Sequence, residues 1–176
     1  AVALALDVSG AVQFGRRMQA VRRACMAFHY YSRRFHPHDR VHCVAYHETA
    51  REITFPEVSR LRAVNGAGKD IGGCLQKCLD ILRRDPDRVP VVILIGDGLP
   101  AAGDRAGFYR FMENNREYIE RAYAQARLLR KQGVLFTFLQ FREDRHLWQE
   151  YADAAAQQIA RSAGGILCRI AEPDTM

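Results

Sequence analysis

Val91-Val92-Ile93-Leu94-Ile95 is the most hydrophobic and most β-branched run in the chain, and it stops at Gly96-Asp97-Gly98-Leu99-Pro100. Five apolar residues with no polar alternation predict a strand buried on both faces, as the strands of parallel sheets are. A second stretch is built the same way: Ala3-Leu4-Ala5-Leu6 ends in Asp7-Val8-Ser9-Gly10-Ala11. In open α/β sheets the carboxyl edge of the strands is where ligands bind. Two buried strands that each deliver an aspartate to that edge therefore constrain both the fold and the place to look for a site.

The segments between them fit the same plan. Apolar residues recur at helical spacing from Val12 to Phe35 (Val12, Met18, Val21, Cys25, Phe28, Tyr31), which predicts a long amphipathic helix with arginines on its outer face. Val41 to Tyr46 and Arg51 to Phe55 read as strands separated only by His47-Glu48-Thr49-Ala50. That is too short for a crossover, so the pair is an antiparallel hairpin. A loop from Pro56 to Lys69 follows. Asp70 is the N-cap of a helix over Ile71 to Arg84. After the strand at Val91 to Ile95 come a polar loop from Ala101 to Gly107, a helix over Asn114 to Gln132 closed by Gly133, and a strand over Val134 to Phe141. A helix over Asp144 to Ser162, carrying Trp148, and a strand over Ile166 to Ile170 complete the chain. The order β-α-β-β-α-β-α-β-α-β predicts an α/β three-layer sandwich on a mostly parallel sheet with one antiparallel edge hairpin.

The 176 residues are read as one domain, 1–176, large enough for a substantial core and cut from a longer chain, since the first residue is not Met. No apolar run approaches the roughly 20 residues of a membrane span. The net charge of +6 comes almost entirely from arginines spread along helices. Such a spread suits a solvated face or an acidic protein partner, and the clustering with interleaved aromatics of a nucleic-acid surface is missing. Cys25, Cys43, Cys74, Cys78 and Cys168 each lie in an apolar stretch, which predicts buried, reduced thiols in a cytoplasmic protein. Cys74 and Cys78 share a helix face, and core packing explains them better than half a metal site.

Three loops then stand out together. They are Asp7-Val8-Ser9-Gly10-Ala11, Gly66-Ala67-Gly68-Lys69-Asp70-Ile71-Gly72-Gly73 and Ile95-Gly96-Asp97-Gly98-Leu99-Pro100. With the element order, they resemble the von Willebrand factor A (vWA) domain over essentially the whole chain. That family builds a metal-ion-dependent adhesion site from Asp-x-Ser-x-Ser, from a Thr in Gly-Gly-Thr-Asp-Ile-Gly, and from the Asp of Ile-Thr-Asp-Gly-x-Pro. The resemblance implies Asp7, Ser9 and Asp97 as metal ligands, with Lys69, Asp70, Gly10 and Gly98 lining the site. His47 joins them because its strand ends on the same edge. Asp97-Gly98-x-Pro100, the polar stretch with Tyr109 and the helix closing on Gly133 resemble the bacterial intracellular branch, whose members work beside MoxR-like AAA+ ATPases.

Two departures weaken the implied metal site. Ala11 replaces the second serine, and Lys69 replaces the threonine, so two hydroxyl ligands are missing. Mg²⁺ demands near-octahedral oxygen coordination, and Asp7, Ser9 and Asp97 supply only part of it. An ammonium ~4 Å from a divalent cation also opposes it by several kcal/mol at an effective dielectric of ~20. The expectation is a degenerate site, with no cofactor or only weakly bound Mg²⁺, in which Lys69 sits between Asp7 and Asp97 as an internal cation. The chain is then a non-enzymatic protein-interaction domain that receives an acidic side chain of its partner. Two alternatives stay open: a true Mg²⁺-dependent module with a weakened site, and a hydrolase or phosphoryl-transfer enzyme using Asp7, Ser9 and Asp97.

Other constellations carry less. His29, His36, His38, His42 and His47 are close in sequence but fall on different elements and cannot all converge on one metal. No Gly-x-Ser-x-Gly elbow, P-loop or Gly-x-Gly-x-x-Gly pattern occurs, which argues against a serine nucleophile and a nucleotide site.

Overall fold

The computed structural model describes residues 1–9, 17–64, 68–101, 108–141 and 149–170, with the backbone alone for 108–114. Its elements are β1 (Val2–Asp7), α1 (Arg17–Phe35), β2 (Val41–Tyr46), β3 (Ala50–Ile53), α2 (Phe55–Val58) and α3 (Ile71–Leu82). They continue with β4 (Val91–Gly96), α4 (Phe108–Lys131), β5 (Leu135–Phe141), α5 (Gln149–Ala163) and β6 (Ile166–Ile170). The strands form one sheet in the order β3-β2-β1-β4-β5-β6. Only the β2–β3 pair is antiparallel; β1–β2, β1–β4, β4–β5 and β5–β6 are parallel. The three-layer sandwich and its edge hairpin are as the sequence predicts.

The pleat divides the core. Ala3 and Ala5 of β1 and Val92 and Leu94 of β4 point to one side, where they pack with Ile71, Leu75 and Cys78 of α3, Leu129 of α4 and Ile159 of α5. Leu4 and Leu6 of β1, with Ile95 of β4, point to the other side, against Val21 and Cys25 of α1 and Val58 of α2. Each such aliphatic side chain contributes roughly 2 kcal/mol on burial. Small residues at Ala3 and Ala5 let α3 and its neighbours approach the sheet closely, and Gly72 does the same between helices. A Cβ on Gly72 would meet Arg121 Cγ of α4 at 2.6 Å.

Several boundaries and exposures differ from expectation. Part of the stretch read as a featureless loop is the short helix α2, closed by a capping box in which Glu57 accepts from Thr54 N at 2.7 Å. Helix α4 begins at Phe108, six residues before the expected Asn114. Tyr31 is exposed and Arg17 buried, the reverse of their expected places on α1. Cys25, Cys43, Cys74 and Cys78 are buried, but Cys168 is exposed. It lies on β6, the last strand of the sheet, where only Leu167 packs against the helices. An apolar run does not by itself distinguish a central strand from an edge. Val12, Trp148, Asp144 and the loop residues 102–107 lie outside the described residues. Among the described residues no helix is long and apolar enough to cross a membrane.

Candidate functional site

The strand order reverses direction between β1 and β4, and the carboxyl ends of these two strands carry Asp7 and Asp97. Asp7 is 1% exposed, and its Oδ1 accepts a hydrogen bond from Ser9 N at 2.8 Å. Asp97 lies just past β4, and its Oδ1 accepts from Leu99 N at 3.0 Å. Both are Asx turns that fix the carboxylate while leaving its second oxygen to face the crevice.

The second loop closes the crevice through its backbone. Lys69 exchanges backbone hydrogen bonds with Ala101, and Asp70 N donates to the carbonyl of His47 at 2.7 Å. These bonds hold Lys69 inward, and its side chain is 8% exposed. Its ammonium forms a buried ion pair with Asp97 Oδ2. Lys69 does not hydrogen-bond both aspartates: among the described residues Asp7 Oδ2 has no hydrogen-bond partner, and it feels Lys69 through its charge. Burial, the largest influence, raises the Asp7 carboxyl to about 6; Lys69 opposes that shift, and Asp97 adds to it.

The other predicted site residues fall around this centre. Asp70 caps α3, its Oδ1 accepting from Gly73 N at 2.8 Å, while its Oδ2 pairs with Arg121 of α4 at 2.8 Å. It serves the helix rather than the crevice. Ser9 is fully buried beside Asp7 and bridges to Val64. Gly98 adopts φ +92°, and a Cβ there would meet Ala156 Cβ at 2.8 Å, so the loop after Asp97 packs directly on α5. His47 is half-buried, and its Nδ1 has no partner among the described residues. Gly10, Ala11, Gly66 and Ala67 lie outside the described residues. The remaining histidines are dispersed: His29 stacks on Phe55, and His42 sits between Glu52 and Asp85.

Two residues at the site, Tyr46 and Gln140, lie outside the three motif loops. Tyr46 stands opposite Asp7 in the β1–β2 register, and among the described residues its fully buried hydroxyl has no hydrogen-bond partner. Burial first, and then the charge of Asp7, raises its phenol well above the ordinary range, so it stays neutral. Gly96 makes room for it, since a Cβ there would lie 2.7 Å from Tyr46 Oη and 3.1 Å from Asp7 Oδ2. Gln140 of β5 is fully buried and donates to the Asp97 carbonyl at 3.0 Å and to Asp153 of α5 at 2.9 Å, tying the third loop down. A polar residue late in an apolar strand was the only signal for Gln140. For Tyr46 it was strand register, which one sequence does not show.

Chemically the crevice holds two carboxylates, one ammonium, a serine and a neutral phenol. Among the described residues no three His, Cys, Asp or Glu side chains converge to hold a metal ion.

The fold is shared with solved structures of low sequence identity. The SpRpn10 VWA domain aligns over 99% of this chain and 89% of its own, at 11% identity and TM-score 0.67. The PilB minor pilin from Streptococcus sanguinis aligns over 97% of this chain at 13% identity and TM-score 0.71, and the match spans 56% of the pilin. Manganese-loaded Plasmodium vivax TRAP protein aligns over 98% of this chain and 64% of its own, at 15% identity and TM-score 0.64. No curated protein matches the sequence. A family model described as "Rv0959-like protein, vWA domain" matches residues 1–173, and the chain belongs to that family of vWA domains.

Proposed function

We propose that this domain is a non-enzymatic protein-interaction module whose metal-type site has exchanged its cation for Lys69. vWA domains are in general protein-interaction modules, and the family membership carries that part of the reading. The observation that carries the rest is the buried Lys69–Asp97 ion pair between the two aspartate-bearing strand ends. A ligand oxygen that Asp97 would offer a metal already accepts from an ammonium, and Ala11 offers no hydroxyl. The residues present therefore fit an octahedral Mg²⁺ poorly. They fit an internal monovalent cation well.

Among the described residues Asp7 Oδ2, Ser9 Oγ and Tyr46 Oη, beside the pair, have no hydrogen-bond partner. That specific observation supports a second reading, a weakened Mg²⁺ or Mn²⁺ site of the kind suggested by the manganese-loaded TRAP protein.

The partner we propose is a MoxR-like AAA+ ATPase in a bacterial cytoplasm, engaged through an acidic side chain that takes a charge-assisted hydrogen bond. The support is the likeness of the Asp97-Gly98-x-Pro100 loop to that branch of the family. A binding assay against an immobilised ATPase encoded beside this gene tests the reading. A complex that forms equally in Mg²⁺ and in EDTA is expected. No complex overturns the partner, and a complex lost in EDTA overturns the internal cation.

A further inference from the structure

A cavity of about 310 Å³ opens beside the crevice, on the β2 side of β1, and no role has been assigned to it. It is lined by the apolar Val8, Ala45, Leu61 and Val64, by His47 and by the cationic Arg51, Arg60 and Arg62, with Glu57 as its one acid. The backbone builds this wall deliberately. Val64 N donates to Val8 O at 2.7 Å, and Leu61 is buried among the residues of α1 and α2, so the chain from 60 to 64 is laid along the top of β1. With Leu61 anchored inward, Arg60 and Arg62 on either side of it remain exposed at the cavity.

The charge on this wall is not neutralised from within. Glu57 accepts from Thr54 N, Thr54 Oγ1 and Arg51, and these bonds hold its carboxyl at about 2, so it is ionised and committed to the α2 cap and Arg51. Among the described residues neither the Arg60 nor the Arg62 guanidinium has an ion-pair partner, whereas Arg51 pairs with Glu57. The buried Nδ1 of His47 has no partner among the described residues either. Three guanidinium charges against one carboxylate leave a wall of +2.

We propose that this cavity binds a phosphomonoester dianion. A doubly charged group with three acceptor oxygens matches the +2 excess and the two unoccupied guanidinium forks, whereas a single carboxylate leaves one charge uncompensated. The volume is at the lower end for small-molecule sites, which suits a phosphorylated side chain or a small phosphorylated metabolite. This site is distinct from the Lys69 pair, and its existence does not depend on how that pair is read.

Calorimetric titration of the 176-residue chain with phosphoserine, with a phosphoserine peptide and with aspartate tests the proposal. Both phospho-ligands are expected to bind, aspartate at least tenfold more weakly, and Arg60→Ala/Arg62→Ala to lose tenfold or more in phosphoserine affinity. Arg83→Ala/Arg127→Ala removes the same charge from exposed positions elsewhere and is expected to change affinity less than twofold. Tighter binding of the peptide than of free phosphoserine assigns the phosphate to a protein, and equal binding assigns it to a small molecule. Failure of both phospho-ligands to bind at millimolar concentration overturns the proposal, as do equal losses in the two double variants or aspartate binding as tightly as phosphoserine.

Discussion

Lys69→Met is expected to destabilise the domain by about 3 kcal/mol at pH 7, because it strands Asp97 and Asp7 in a crevice with no countercharge. Removing one partner of a buried ion pair typically costs about 3–5 kcal/mol, since the remaining charge keeps its desolvation penalty. The lower end applies here because the Asp97 side chain is 19% exposed and water screens it in part. Asp7 is 1% exposed and has no such relief; without the ammonium its carboxyl rises further. For a domain of this size the melting temperature should fall by about 10 °C. Urea and thermal melts measure this directly. A loss below about 0.5 kcal/mol would mean that the Lys69 ammonium contributes nothing to the folded crevice.

Asp7→Asn is expected to do the opposite. The carboxyl of Asp7 titrates at about 6 in the folded chain against an ordinary 3.8. A folded value above the unfolded one means that the protonated form is favoured by folding. The stabilisation is fully present below about pH 4 and is lost as pH rises through about 6. A shift of this size corresponds to roughly 3 kcal/mol at pH 7. Asparagine keeps an oxygen for Ser9 N and leaves Lys69 and Asp97 as a neutral pair, so the buried excess negative charge disappears. The variant should be more stable than wild type at pH 7 to 8 and should show no fall in stability between pH 4 and pH 6 from this site. Melts across that range decide it. A wild-type profile that rises through the same window would show that Asp7 is held ionised by Lys69 more strongly than burial opposes it.

The two expectations have one origin: two carboxylates and one ammonium share a site built at a strand crossover. The parts of that arrangement that were legible in the sequence are those set by local pattern. Val91–Ile95 shows no polar alternation, so its burial on both faces could be read directly, and Asp97 followed as a residue at its carboxyl end. The four residues His47 to Ala50 expected between the second and third strands forced a hairpin, and the structure leaves only three, His47 to Thr49, between β2 and β3. Asp70 before an amphipathic run announced a helix cap, and it is one.

Residues whose place depends on a neighbour distant in the chain were not legible. Tyr46 reaches the site only because β2 pairs in register with β1. Arg121 meets Asp70 only because Gly72 lets α4 lie close to α3. Arg60 and Arg62 form a wall only because Val64 bonds to Val8 across the top of the sheet. Cys168 was misjudged for the same reason, since its exposure is a property of the sheet's edge and not of its own run. Lys69 lies between these cases. Its sequence position brought it to the site, but its choice of Asp97 over Asp7 follows from the backbone bonds to Ala101.

Calorimetric titration of Mg²⁺ and Mn²⁺ into the wild-type chain and into Ala11→Ser/Lys69→Thr tests the central claim most directly. The double variant restores the two missing hydroxyls and removes the ammonium. Micromolar binding to the double variant and none to wild type is the expected result. Micromolar binding of either ion to the wild-type chain would contradict the exchange of the cation for Lys69.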